Sequence, residues 1–170
     1  MMTKYLVTFI AFVSFSFSSF AQQNTNWDKW SWLLGQWQGE GSGKPGQGGG
    51  KFSFDLELND KIIVRKSHSE YPTTDNKHKI IHEDLMVIYL NMAGSPTKAI
   101  YFDNEGHAIN YSINYADKAI ILLSDKAPNV PIFKLTYTLL DDNTINTKFE
   151  MSQDGEKFMT YIEGKSKKFK

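Results

Sequence analysis

What most constrains this chain is alternation. From Gln36 onward, apolar and polar residues trade places in short runs, and turn-forming residues cut those runs about every 8 to 12 positions. A side-chain period of two belongs to a strand with one face buried and one face wet. The fold class expected is therefore all-β. The alternation places strands at Gln36–Gly43, Lys51–Leu58, Lys61–Tyr71, His82–Leu90, Lys98–Asp103, His107–Tyr115, Lys118–Ser124, Ile132–Leu140, Thr144–Ser152 and Lys157–Gly164. Most connections between them are short: Asn59-Asp60, Asn104-Glu105-Gly106, Ala116-Asp117, Asp141-Asp142-Asn143 and Gln153-Asp154-Gly155-Glu156. Asn, Asp and Gly are what tight hairpins need, because their central residues adopt positive φ. Tight hairpins join only sequential antiparallel neighbours, so the connectivity expected is up-and-down. A meander of about ten strands leaves two bare edges unless the sheet closes on itself. The expectation is a single closed antiparallel barrel around an internal cavity, preceded by a short helix. In that helix Asn26 would be the N-cap, Trp27, Trp30 and Leu34 would share a stripe, and Gly35 would end it.

The first 21 residues stand apart. Lys4 precedes an apolar run from Tyr5 to Phe17, and Ser19-Phe20-Ala21 puts small residues where signal peptidase reads them. Residues 1–21 are read as a signal peptide cut after Ala21, and residues 22–170 as the barrel domain, delivered to the periplasm or secreted. The apolar run is shorter than the roughly 20 residues of a membrane-spanning helix, so no span is expected in the mature chain. The chain has no cysteine, so packing and the hydrogen-bond ladder must supply its stability. Without Lys4, 18 basic residues face 19 acidic ones, which gives no long-range pull toward nucleic acid.

The alternation also says which side chains look inward. Phe52, Phe54 and Leu56 share one face. His107, Ile109, Tyr111, Ile113 and Tyr115 share another, and Phe133, Leu135, Tyr137 and Leu139 a third. The third, fourth and fifth strands carry apolar residues on both faces and are ambiguous. Arg65 is the chain's single arginine. If a two-residue turn at Asn59-Asp60 keeps Leu58 and Lys61 on one face, parity carries Ile63, Arg65, Ser67 and Ser69 inward. A buried guanidinium must be paired. It is either a clamp for a ligand carboxylate, a bidentate task suited to arginine, or one half of an internal ion pair with an acid such as Asp84.

His107 and Tyr111 would line the same hollow, joined by Tyr101 if the Asn104-Glu105-Gly106 loop keeps register; a shorter loop would turn Phe102 inward instead. His82, Asp84 and Met86 share a face, and Tyr137 completes the candidate lining. The same histidine and tyrosines would serve equally as satisfied core residues. No nucleophile motif and no helix-borne metal motif is present, so neither catalytic nor metal-ligating residues are expected.

The run Leu33-Leu34-Gly35-Gln36-Trp37-Gln38-Gly39-Glu40-Gly41-Ser42-Gly43-Lys44-Pro45 resembles the opening of nitrobindin-type proteins: Gly35, Trp37, Gly39, Gly41 and Gly43 keep the spacing, and Pro45 follows. The shorter Gly-x-Trp, Gly35 and Trp37, is similar to the entrance of the wider calycin group, lipocalins included. The resemblance implies a ten-stranded barrel with a ligand cavity whose Trp plugs one end. It also implies heme held by a histidine near the carboxyl terminus. Here the last histidine is His107, so that ligand is missing, and in the terminal segment the Tyr161 phenolate could ligate ferric iron.

Three functions follow as expectations. The first is an exported binding protein for a small hydrophobic or amphipathic ligand with an anionic group, held by Arg65 with His107, Tyr111 and Tyr101. The second is a heme protein acting on reactive nitrogen or oxygen species. The third is a barrel filled by its own aromatic residues and acting through its surface.

Overall fold

The computed structural model describes residues 27–41, 49–73 and 79–170. Ten strands run in chain order: β1 (Gly35–Gly39), β2 (Lys51–Glu57), β3 (Ile62–Pro72), β4 (Lys79–Tyr89), β5 (Lys98–Asp103), β6 (Ala108–Ala116), β7 (Ala119–Ser124), β8 (Ile132–Asp141), β9 (Thr144–Ser152) and β10 (Met159–Lys168). Each pairs antiparallel with its sequence neighbour, and β10 returns to β1, so the sheet is a closed barrel. The seam is in register at Trp37 with Lys168, Gln38 with Lys167 and Gly39 with Ser166. Beyond it, Gln36 N donates to Lys170 O at 2.8 Å, and Phe169 N to Gln36 O at 3.0 Å. Closure removes the bare edges that an open meander would present.

Two glycines make the seam geometrically feasible. Gly35 holds φ at 110°, and a Cβ there would press into the carbonyl of Lys170. A Cβ on Gly39 would sit 2.9 Å from the backbone of Gly49, where Gly39 N donates to Gly50 O at 2.9 Å. The glycines of the opening motif thus serve a close backbone approach. Gly41 follows β1, while Gly43 and Pro45 lie outside the described residues, as do residues 1–26 with the expected signal peptide.

The expected helix is replaced by something tighter. Asp28–Trp30 forms one 3-10 turn, with further turns through Leu33, and Trp27 stands at its start without a side-chain cap. Asn26, expected as the cap, lies outside the described residues. So short a segment cannot repay the cost of nucleating an α-helix. Tertiary anchors fix it instead. Trp27 Nε1 donates to Asp60 O at 2.9 Å, Trp30 Nε1 to Tyr115 Oη at 2.9 Å, and Trp37 Nε1 to Leu33 O at 2.8 Å. Together these indoles plug one end of the barrel.

The β2–β3 connection is longer than its sequence suggests. Glu57 pairs with Ile62, so residues 58–61 form the turn, and Leu58, Asn59 and Asp60 hold φ of 53°, 53° and 61°. Two residues or four, the loop is even, so the parity survives: Leu56 faces Ile63 and Phe54 faces Arg65. Leu58 itself points outward, 69% exposed. A left-handed conformation costs an L-residue other than Gly, Asn or Asp about 1–2 kcal/mol. Leu58→Gly is therefore expected to stabilise the protein by about 1 kcal/mol, read as a higher urea midpoint with an unchanged m-value.

Candidate functional site

The barrel's interior is graded from one end to the other. At the plugged end it is solid: Trp30, Leu33, Trp37, Ile63, Ile88, Ile120, Leu122 and Ile145 are fully or almost fully buried. Phe54 bridges two of its layers, tilted against Trp30 at 6.1 Å and edge-on to Tyr137 at 5.4 Å. Over this half the interior is filled by side chains. Toward the other end the inner face becomes polar and gradually more exposed. Along β4, Met86 is 0% exposed, the Asp84 side chain 7% and the His82 side chain 26%.

Arg65 sits where the two halves meet. Its register partner across β4 is Met86, and Ser67 faces Asp84, so Arg65 reaches diagonally to Asp84. The guanidinium Nη1 and Asp84 Oδ1 form an ion pair, with the side chains 11% and 7% exposed. The ring of Phe52 lies 5.3 Å from the guanidinium carbon. Burial opposes the charge on Arg65, but Asp84, with Tyr137 and Tyr101 nearby, outweighs it and holds the guanidinium pKa above its ordinary value. Of the two readings open for an inward Arg65, the internal ion pair with Asp84 is the one in place.

That pair leaves donors unspent. Among the described residues, three buried side-chain atoms have no hydrogen-bond partner: Arg65 Nε, Tyr137 Oη and Thr147 Oγ1. Tyr137 and Thr147 are register partners on β8 and β9. Tyr137 is pushed up to about 12, first by burial and, against the pull of Arg65, by Asp84. A buried unpaired polar atom costs about 1–3 kcal/mol. Arg65 Nε, with Tyr137 beside the guanidinium and Thr147 paired to Tyr137, marks the place where buried polar capacity exceeds what the described residues use. Thr147 was not singled out in the sequence, although the parity of Ile145, Phe149 and Met151 places it inward.

The remaining candidates divide. Tyr101 is inward, as the kept register requires: it faces Ile109, while Phe102 is turned out and 42% exposed. Burial, then Asp84 and Asp103, push its phenol up. Tyr111 is 2% exposed within the core, raised mainly by burial. Met86 fills core, as its 0% exposure says.

His107 is not inside. β6 begins at Ala108, and His107 belongs to the β5–β6 hairpin with its side chain 61% exposed. Asp103 captures it: His107 N donates to Asp103 Oδ1 at 2.9 Å, and Nδ1 lies 2.8 Å from Oδ2. His82 stands at the mouth between Glu105, 3.2 Å from its Nδ1, and the Tyr101 hydroxyl, 3.3 Å from its Nε2. The Tyr101 hydroxyl donates onward to Asp103 at 3.3 Å.

The His107–Asp103 contact sets a pH dependence. Asp103's bond raises the imidazole pKa above its ordinary 6.5. Burial opposes ionisation of Asp103, but bonds from the backbone and ring of His107 win and lower its carboxyl below 3.8. A raised histidine stabilises below its unfolded pKa and loses that contribution as pH rises through its folded one; a lowered carboxyl does the reverse. The pair therefore holds the hairpin most firmly between pH 3.8 and 6.5 and releases it above His107's own pKa. His107 is expected to titrate above 6.5 by NMR and to fall back toward that value in Asp103→Asn.

The described residues do not fit heme. Among the described residues no histidine reaches the interior axis, since His68, His82 and His107 all bond carboxylates at or outside the mouth. Tyr161 lies at a bulge in β10, between Thr160 and Ile162, and is 59% exposed. Among the described residues no three His, Asp or Glu gather to hold a metal ion. The chain matches no family model and no curated protein.

Proposed function

We propose that the barrel binds a small, largely apolar molecule that enters at the open end and buries one polar head against Arg65 and Tyr137. The single observation behind this reading is the cluster of unpartnered buried atoms at Arg65 Nε, Tyr137 Oη and Thr147 Oγ1. Binding sites combine an apolar wall with a few convergent polar groups. Here Phe133, Leu135, Phe149 and Tyr101 supply the wall, and Phe133 stacks on Phe149 at 5.7 Å. His107 drops out of the binding set, and Thr147 enters it. In this reading the protein is exported after cleavage at Ala21, and the opening motif expresses kinship with the nitrobindin and calycin barrels, without their heme chemistry.

Tyr137→Phe tests it, because the ring and its packing are kept and only the unpartnered hydroxyl goes. Removing a buried orphan is expected to raise the stability of the ligand-free protein by about 1 kcal/mol. Ligand affinity is expected to fall about tenfold, the worth of one hydrogen bond. Native mass spectrometry of protein isolated from its own source reads the second effect as loss of a bound mass. A variant that is less stable and binds as before, or a wild type that carries and takes up nothing, would leave the interior as packing alone. The third expectation, a barrel acting through its surface, would then stand.

A further inference from the structure

Resting on that binding reading, we propose that the head group held at Arg65 is an uncharged carbonyl, best a carboxamide, and that carboxylates are excluded at neutral pH. The sequence alone suggested an anion, because a lone inward arginine asks for one. The charges actually facing the site reverse this. Arg65 on β3 is already neutralised by Asp84 on β4. Asp103 on β5 is the register partner of Asp84, its side chain only 5% exposed, so a second carboxylate flanks the first.

From β2 the site meets Phe52 and Phe54, and from β6 Ile109 and Tyr111. From β8 it meets Leu135 and Tyr137, and from β9 Thr147 and Phe149. None of these carries positive charge. His82, 3.7 Å from Asp84 Oδ2, and His107 on Asp103 are each committed to a carboxylate. Lys168 is drawn to the plugged end, over Trp37 and bonded to Trp32 O. Among the described residues every cation near the site is thus already committed, so an incoming carboxylate would be a further anion beside Asp84 and Asp103, stripped of water.

A neutral carbonyl meets no such opposition, and its needs match what is unspent. Its oxygen has two lone pairs, for Arg65 Nε–H and Tyr137 Oη–H. A carboxamide adds N–H groups, for which Thr147 Oγ1 is an acceptor.

The test titrates the purified protein with octanamide and octanoate at neutral pH by calorimetry. Octanamide is expected to bind at least tenfold more tightly. Octanoate binding as well or better would overturn the inference and leave the binding reading intact, whereas no binding of either would sink the binding reading itself. Asp84→Asn frees the charge of Arg65 and is expected to raise octanoate affinity at least tenfold; a folded variant without that gain contradicts the proposal. If the variant does not fold by circular dichroism, wild-type protein at about pH 4 replaces it, where a carboxylic acid is largely protonated. There octanoic acid is expected to approach octanamide, and a preference for the amide as large as at neutral pH would refute the charge argument.

Discussion

Trp30→Ala is expected to cost about 3–5 kcal/mol, the range for emptying a fully buried indole site. Trp30 is 0% exposed and central to the plug. Its ring contacts Phe54, and its Nε1 donates to Tyr115, whose hydroxyl donates in turn to Pro96 O. Truncation opens a cavity between β2 and β6 and removes the donor that ties the amino-terminal turns to the barrel wall. The neighbouring Trp32, only partly buried, gives the contrast: Trp32→Ala is expected to cost no more than about 1 kcal/mol. Urea unfolding followed by far-ultraviolet circular dichroism measures both. Equal losses would mean that the plug is a surface layer rather than part of the core.

Asp84→Ala is the second large effect, expected at about 3–5 kcal/mol. Its cost arises from what is left behind, a guanidinium with an 11% exposed side chain and no counter-ion. Replacing both partners by apolar residues of similar volume, Arg65→Met with Asp84→Leu, removes the desolvated charges together. The double variant is expected to lie within about 1 kcal/mol of wild type or above it. The cycle therefore has a strong coupling term between the two sites. If Asp84→Ala alone cost under about 1 kcal/mol, the pair would be solvated and the interior wet.

Much of this fold is legible in the residues because the barrel's inner face is apolar where alternation is strongest. Phe52 and Phe54, Tyr111 and Ile113, and Leu135 and Tyr137 all point inward as their parity requires. β3 to β5 resist the same reading for a physical reason. Their outer face is apolar as well, with Val64, Leu85, Val87, Ile100 and Phe102 aligned across it, so periodicity alone cannot choose a side. Arg65 points inward under a two-residue turn as under the four-residue turn present, because parity depends only on the loop being even. β10 runs on to Lys168, beyond Gly164, because the seam uses Lys165 and Lys167 around a buried Ser166, an alternation without apolar residues.

The candidate site is half legible in its residues' orientation. Arg65, Tyr101 and Tyr137 are found by parity, and Asp84 as the partner an inward arginine would take. Alternation points His107 inward because it extends one residue past the true start of β6, where Asp103 instead holds the ring in the hairpin. A competing hydrogen bond of this kind has no periodic signature. Nor does the tight turn at Asp28–Trp30, which three indole bonds hold in place of helical propensity.

Because Arg65 is the chain's single arginine, its Nε–H gives one resolvable signal in a nitrogen–proton NMR correlation spectrum. A guanidinium buried beside Asp84, with Nε shielded from water, should exchange that proton slowly near neutral pH. Saturating octanamide should move the signal, and Tyr137→Phe should blunt the response. A proton that exchanges as fast as a free arginine's, or a slow one that no amide shifts, would contradict the account.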